Sequence, residues 1–455
     1  MTIILTVTND LTYDQRMQRI CTSLAAHGYT VELVGRQRPA SVPLTSQPFA
    51  QKRLRCRFER GFAFYAEYNL RLFAYLLVAR YDAVCSIDLD TLAAGCGATL
   101  LRRKKRVFDA HEYFTEVPEV VHRPVVRAFW GLVARLCLPF YRHAYTVGPA
   151  LAEIFAEKYG LAFKVVRNTP QPPPRPPVQG GSRIERDNID VPATQNTANT
   201  DPAPTSPTAE LGHSPPFTGG PGGAATVQGG IRIERDNTII TSIENIDDTG
   251  LHQPSPTAEL GQSPPFTGGP GGAVLYQGAL NAGRGLEAAI AAMQQVDNVQ
   301  LWLAGEGDLS VELRQLAGQL GVQEKVHFLG FVRPEALKTH TAQAWLGLNL
   351  LENCGLSYYY SLANKYFDYV QAGVPVLTMD FPEYRALNAQ HEVALLLDEL
   401  SPARVAAAIR RLRDDEGLYA RLQGACAAAG EVWIWEEDEK VLLEVWQAVY
   451  QNMTE

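Results

Sequence analysis

The chain has 455 residues, 46% of them hydrophobic, and its 41 Lys and Arg stand against 49 Asp and Glu for a formal charge of −8. That length exceeds the size at which single cores stop growing, so two domains are expected, and the acidic balance excludes a general attraction to nucleic acid or anionic membrane, leaving only local basic patches. Seven cysteines form no C-x-x-C pair, the chain opens directly into "TIILTV", and no apolar run reaches membrane-spanning length; together these read as a cytosolic protein with reduced thiols, neither secreted nor integral.

Residues 1 to 168 alternate strand-like and helix-like stretches. "TIILTVTN", "DQRMQRICTSLAAHG" and "YTVELVGR" form a βαβ unit in which Gly28 ends the helix, with a right-handed crossover expected. "YDAVCSID", "RKKRVFDAHE" and "AYTVG" read as further strands with polar last residues, which belong at the carboxyl edge of a parallel sheet. The apolar stretches "YNLRLFAYLLVAR" and "RPVVRAFWGLVARLCLPFYRHAY" carry interspersed basic residues. Covering the sheet is the first reading of them, and peripheral contact with a membrane bearing a lipid-linked acceptor is the second.

A different composition runs over 169–273. "SPTAELGHSPPFTGGPGGA" at 206 returns at 255 with one change, and "VQGGSRIERDN" at 178 returns as "VQGGIRIERDN" at 227, both 49 residues later. Two copies fall short of a solenoid, and the Pro/Gly/Ser/Thr richness leaves little apolar surface to offset ordering entropy, so a disordered linker is expected. Lengthening a connection tenfold costs about 2 kcal/mol of closure entropy, which two docked domains tolerate.

From 274 to 455 the strand and helix alternation resumes, with strand candidates in "AVLYQ", "VQLWLAGEG", "KVHFLGFV", "AWLGLNLLE" and "GVPVLTMD". The expected fold class is therefore α/β, with two doubly wound parallel-sheet domains facing across a cleft. The terminal "EVWIWEEDEKVLLEVWQAVY" has apolar residues near a 3.6 period and reads as a helix. "SLANKYFDYVQAGVPVL" at 361–377 reads as a helix capped by Ser361, stopped by Gly373 and Pro375, and followed by a strand. It carries Lys365 and Asp368 close to one turn apart, behind the aromatic "SYYY".

The stretches "VTNDLTYDQRMQRICTSLAAHGYTVELVG", "DAHEYFTEVPE", "YQGALNAGRGLE", "LAGEGD", "VHFLGFV" and "SLANKYFDYVQAGVPVL", in this order, resemble the retaining glycosyltransferases of family four. The resemblance covers 1–168 and 274–455. It implies the GT-B fold, a nucleotide diphosphate sugar (UDP- or GDP-linked) as co-substrate with no bound cofactor or metal, and a glycan or lipid-linked acceptor. It also implies that the last helix crosses back to brace the first domain. The family carries two glutamates with seven residues between them; counted back from Gly373, they fall on Tyr360 and Asp368. Asp368 keeps a carboxylate for the donor ribose, whereas a phenol at 360 cannot supply the first glutamate's charge.

For the diphosphate, the resemblance implies an Arg and a Lys in the turn after the first strand of the second domain, beside Gly278, where this chain has Ala279 and Arg284. Lys365 is expected to supply the missing charge, next to helix-start amides at Leu362, Ala363 and Asn364 that face the diphosphate. His111 maps onto the family's histidine that orients the donor sugar, and Asp109 precedes it at the cleft edge. Glu112 and Glu116 read as helix-start acids. Asn9, Asp10, Asp14 and Arg16 occupy the loop on the acceptor side, with Asp14 also suited to capping the helix that follows. Asp88 and Asp90 have the D-x-D spacing of a metal–nucleotide site, but after a strand in a doubly wound sheet they are read as helix caps. A nucleotide-sugar epimerase or hydrolase of the same fold, and a non-catalytic sugar-nucleotide-binding scaffold, are the competing readings.

Overall fold

A computed structural model describes residues 1–12, 14–39, 41–171 and 272–451. The tandem duplication, and most of the linker expected over 169–273, lies outside the described residues. Ala273 already belongs to a strand, and Thr169 and Pro170 are bonded into the body of the protein.

Seven parallel strands make the first sheet: β1 (Thr2–Thr6), β2 (Thr30–Gln37), β3 (Ala50–Arg55), β4 (Ala83–Ile87), β5 (Lys105–Ala110), β6 (His143–Thr146) and β7 (Phe163–Val165), in the order β3-β2-β1-β4-β5-β6-β7. Six parallel strands make the second: β8 (Ala273–Gln277), β9 (Gln300–Ala304), β10 (Val326–Gly330), β11 (Leu346–Asn349), β12 (Val376–Met379) and β13 (Ala394–Leu397), ordered β10-β9-β8-β11-β12-β13. Strand order reverses between β1 and β4, and again between β8 and β11. At such points neighbouring connections leave in opposite directions and open a crevice at the carboxyl edge. The three strands that the sequence reading did not anticipate, β3, β7 and β13, lie at or next to the outside of a sheet. β3, "AQKRLR", is half exposed and carries three basic residues, so it lacks the apolar run that marks a doubly covered parallel strand.

One face of the first sheet packs the helix Gln15–Ala26 together with the final helix Trp435–Gln451, whose Trp435, Leu442, Val445, Trp446 and Val449 join the core of β1 and β4. Burying such side chains contributes roughly 1.5–3 kcal/mol each. Polar contacts fix its position: Trp435 Nε1 donates to Ser23 Oγ at 2.8 Å, and Asp438 accepts from the Arg167 amide at 3.2 Å and from the Thr169 hydroxyl. The opposite face is covered by Gly61–Val78, Asp88–Leu101 and Pro124–Cys137. These helices do more than cover it. Each buries one side and turns large apolar residues outward, among them Phe62, Leu101 and Val125.

The two sheets belong to one compact unit. Near the cleft the domains meet through Tyr360, packed against a first-domain aromatic cluster, and through Gly355, where a Cβ would come within 2.5 Å of the Glu116 carbonyl oxygen. They also meet at the amino end of the helix Pro149–Tyr159. Gly148 has no side chain to cap that end, and Glu383 of the second domain does so instead, its Oε1 accepting from the Ala150 amide at 2.8 Å. Glu383→Ala is expected to lower the unfolding free energy by about 0.5–2 kcal/mol, the usual worth of a helix cap, with Glu383→Gln costing less because it keeps an acceptor oxygen. Urea titration reads both, and an unchanged midpoint in the alanine variant refutes the cap.

Candidate functional site

The second-domain side of the cleft is built on the turn after β8. A Cβ on Gly305, at the end of β9, would fall 1.9 Å from the Gly278 carbonyl oxygen, so the two carboxyl-edge turns pack backbone against backbone and no other residue fits there. Beside this bare backbone stands Lys365, whose ammonium lies 3.8 Å from the centre of the Tyr276 ring and would sit 3.5 Å from a Cβ on Gly278. The Arg284 guanidinium lies 4.6 Å over the Tyr358 ring. Among the described residues neither cation has a carboxylate within ion-pair distance. Burial pushes the Lys365 ammonium well below its ordinary pKa, and the Arg284 charge adds to the effect. Two cations near enough to feel each other's charge, with no counter-charge among the described residues, are electrostatically complementary to an anion.

Asp368 closes this side. Its Oδ2 accepts from Gln277 Nε2 at 2.9 Å, and Gln277 Oε1 accepts from the Thr341 hydroxyl at 2.8 Å. Burial raises the Asp368 carboxyl to about 6, against the opposing charge of Arg19 from the first domain.

The structure corrects two expectations here. Ser361 does not cap the helix. A short helix, Leu356–Tyr359, ends just before it, its hydroxyl donates to the Tyr358 carbonyl at 2.8 Å, and the next helix, Asn364–Gln371, begins three residues later with Ala363 as its cap position. Lys365 is consequently the second residue of that helix. The Ala363 amide is also not free for a ligand, since it donates to the Tyr384 hydroxyl at 3.1 Å. Asn364 remains exposed at the helix start. The tyrosine at 360 serves packing across the cleft, and Ala279 contributes its carbonyl oxygen, which accepts from the Tyr276 hydroxyl at 2.7 Å.

Across the gap, β4 and β5 deliver a chain of charged groups. Asp109 is fully buried and pairs with Arg16 at 3.1 Å; Arg16 is only 6% exposed and also donates to the Val166 carbonyl at 3.0 Å. Arg16 is therefore no open acceptor-side group: a carboxylate buried this deeply requires a counter-ion, and Arg16 is it. Asp14 caps the helix Gln15–Ala26 by accepting from the Met17 amide at 3.1 Å. His111 is 20% exposed and bonds Asp109 Oδ2 through Nε2 at 3.0 Å, while its backbone amide donates to Asp88 Oδ1 at 2.8 Å. Burial disfavours the imidazolium, but the Asp109 carboxylate outweighs it and the His111 pKa rises.

Asp88 does not cap the helix it begins; it holds the His111 backbone, from a left-handed conformation (φ 53°) that a non-glycine residue adopts only under constraint. Asp90 accepts from the Thr8 hydroxyl. Burial raises Asp88 and Asp90 to about 7, and the exposed Glu112 lies close enough to Arg284 to feel its charge. No group of three ligating side chains among the described residues is arranged to hold a metal ion. Gln277, Tyr276 and Tyr358, which position Asp368, Lys365 and Arg284, carry no sequence signal beyond their place at a strand end and in the tyrosine run.

Residues 271–415 match the model of the family described as glycosyl transferases group 1. Over 139 residues the chain is 32% identical to the lipopolysaccharide core biosynthesis glycosyltransferase LpsD of Rhizobium meliloti, a stretch covering 30% of this chain and 38% of the length of that relative. Among solved structures it resembles sucrose-phosphate synthase from Thermosynechococcus elongatus (TM-score 0.64, 15% identity, 100% and 99% of the two chains). It also resembles Anabaena HepE in complex with UDP-glucose (TM-score 0.60, 13% identity, 98% and 100%). The fold is GT-B: two Rossmann-like parallel-sheet domains.

Replacing Lys365 with Met removes a half-buried amine that has no counter-charge among the described residues, so the unliganded protein is expected to gain on the order of 1 kcal/mol in stability while losing any stabilisation by inorganic pyrophosphate. A thermal-shift series reads both effects; pyrophosphate protecting the variant equally would show that Lys365 faces no anion. The raised carboxyls give a second expectation. Folded Asp90, only 7% exposed, binds a proton at pH values where the unfolded chain has released it, so its contribution to stability falls as pH rises from about 4 to about 7. Urea midpoints across that range should show the decline, and Asp90→Asn should flatten it.

Proposed function

We propose that this chain transfers a sugar from a nucleoside diphosphate donor to a hydroxyl of a glycan or lipid-linked acceptor, in the cytoplasm, with retention of configuration and without a metal. The observation that carries this reading is the pair of cations, Lys365 and Arg284, with no carboxylate partner among the described residues, at the carboxyl edge of β8 beside Gly278. When the bond between the sugar and the diphosphate breaks, the leaving group gains negative charge. Fixed cations already aimed at it stabilise that transition state without reorganising. The ring under each cation keeps it in place, and the absence of a carboxylate leaves its charge for the ligand.

The other groups divide by what they can bind. Asp368, anchored by Gln277, accepts from the ribose hydroxyls; Asn364 lies at the same helix start. UDP is the favoured donor base because HepE is a structural neighbour with UDP-glucose bound. His111, oriented by Asp109 and Asp88, donates to a sugar hydroxyl near the reacting carbon. Retention asks less of a protein base than inversion does, and positioning in a closed cleft carries most of the rest.

A sugar-nucleotide-binding protein without turnover is the rival reading, favoured by Tyr360, which packs where the resemblance implies a carboxylate. Incubating the purified chain with UDP-glucose, UDP-galactose or GDP-mannose separates the readings. Release of the nucleoside diphosphate is expected, with kcat lowered about 100- to 1,000-fold in Lys365→Ala and Arg284→Ala and a comparable loss in His111→Ala. Binding without release in the wild type makes it a binder, and an isomerised sugar nucleotide makes it an epimerase.

A further inference from the structure

Twelve of the eighteen exposed large hydrophobic residues among the described ones fall between Phe58 and Phe140, so they are not the single scattered apolar residues of an ordinary surface. On the helix Pro124–Cys137 they recur at helical spacing, with Val125, Phe129, Leu132 and Leu136 outward and only Trp130 and Ala134 buried. Phe129 meets Phe62 of Gly61–Val78 edge to face at 5.8 Å, which joins the outer sides of the two helices. Val78 and Leu101, 78% and 71% exposed, continue the apolar surface at the far ends of their helices.

The charge around this surface is mainly positive, in a chain whose net charge is −8; of the acids at its margins, Glu59 pairs with Arg36 and Asp82 with Lys104, while Glu119 is exposed. Residues 120 to 152 contain no Asp or Glu but four arginines, and "RRKKR" at 102–106 directly follows Leu101. The acid within Gly61–Val78, Glu67, is occupied by Arg71 and by the amides of Arg57 and Phe58. A protein partner calls for a rim of mixed polarity. An apolar stripe flanked by cations matches the boundary between acyl chains and anionic headgroups. No described helix is long and apolar enough to cross a membrane.

We propose that the outer faces of Gly61–Val78, Asp88–Leu101 and Pro124–Cys137 form one docking surface for an anionic phospholipid bilayer. Helices in a parallel α/β layer run opposite to the strands, so Val125 lies at the carboxyl edge, on the His111 side, and "RRKKR" lies at the other. The stripe therefore begins beside the cleft, and a lipid-anchored acceptor in the same bilayer would approach it there. The docking itself stands without the transfer reading.

The test is co-sedimentation of the full chain with vesicles of phosphatidylcholine alone or mixed with phosphatidylglycerol. The mixed vesicles should bind at least about tenfold more tightly, with the advantage shrinking as salt rises. Leu132→Glu combined with Leu136→Glu, both at exposed positions, should keep the thermal midpoint and lose about tenfold in vesicle affinity. Equal binding by that variant, absence of wild-type binding to anionic vesicles, or a wild-type dimer that the variant splits would overturn the proposal. In the last case a second copy covers the face. Vesicle binding by a chain that releases no nucleoside diphosphate would sink the transfer reading and leave this one standing.

Discussion

A lysine held against a tyrosine ring, close to an arginine and, among the described residues, to no carboxylate, raises the free energy of the folded chain. It persists because the surrounding structure is over-determined. Tyr276 is fixed by its own hydroxyl bond to the Ala279 carbonyl, Tyr358 is packed against the Gly283 turn, and the backbones at Gly278 and Gly305 touch. Strain of this kind is retained where a ligand relieves it. The first-domain side of the gap shows the opposite imbalance, with Asp88, Asp90 and Glu112 near one another and the first two raised by burial. An excess of cations thus faces an excess of acids, and between Arg284 and Glu112 they are near enough to interact without forming an ion pair. A ligand with an anionic end and a hydroxylated end complements that polarity.

The scaffold places these groups by repetition of one device. Each sheet reverses strand order once, and each candidate site residue stands just past a strand end or at the start of the helix that follows: Asp88 after β4, His111 after β5, Gly278 and Arg284 after β8, Lys365 in the connection from β11 to β12. Such positions combine a rigid base with backbone free of ladder bonds, so side chains can be aimed at low conformational cost.

Much of this could be read in the residues. Central strands announce themselves as apolar runs because both faces are covered, so β1, β4, β8 and β11 were legible while β3, β7 and β13 were not. The order of the motifs located both sides of the cleft. The partner of each charge was not legible. Ser361 has the right chemistry for a cap, but the turn of Leu356–Tyr359 takes its hydroxyl. Asp88 looked like a helix cap or half of a metal motif, and its carboxylate meets the His111 backbone, from a strand that neighbours its own only in the folded sheet. Arg16 looked like a loop group facing an acceptor and is the counter-ion of a fully buried Asp109, 93 residues away in the chain. Local pattern reports propensity; long-range pairing decides which of several satisfactory partners a polar group takes.

The chain's second passage between the domains explains how a cleft of mismatched charge is kept together. Trp433 is buried in the second-domain core and Trp435 in the first, with only Ile434 between them. The first passage is tied to the same place, because the Trp435 amide donates to the Pro170 carbonyl at 3.0 Å and Asp438 holds Arg167 and Thr169. The two crossings are therefore clamped side by side behind the cleft by apolar burial on both domains. At the front, the described contacts are one carboxylate cap, a close backbone approach at Gly355 and the packing of Tyr360. Each tryptophan is buried in its own domain's core, so the short link between them anchors the crossing on both sides.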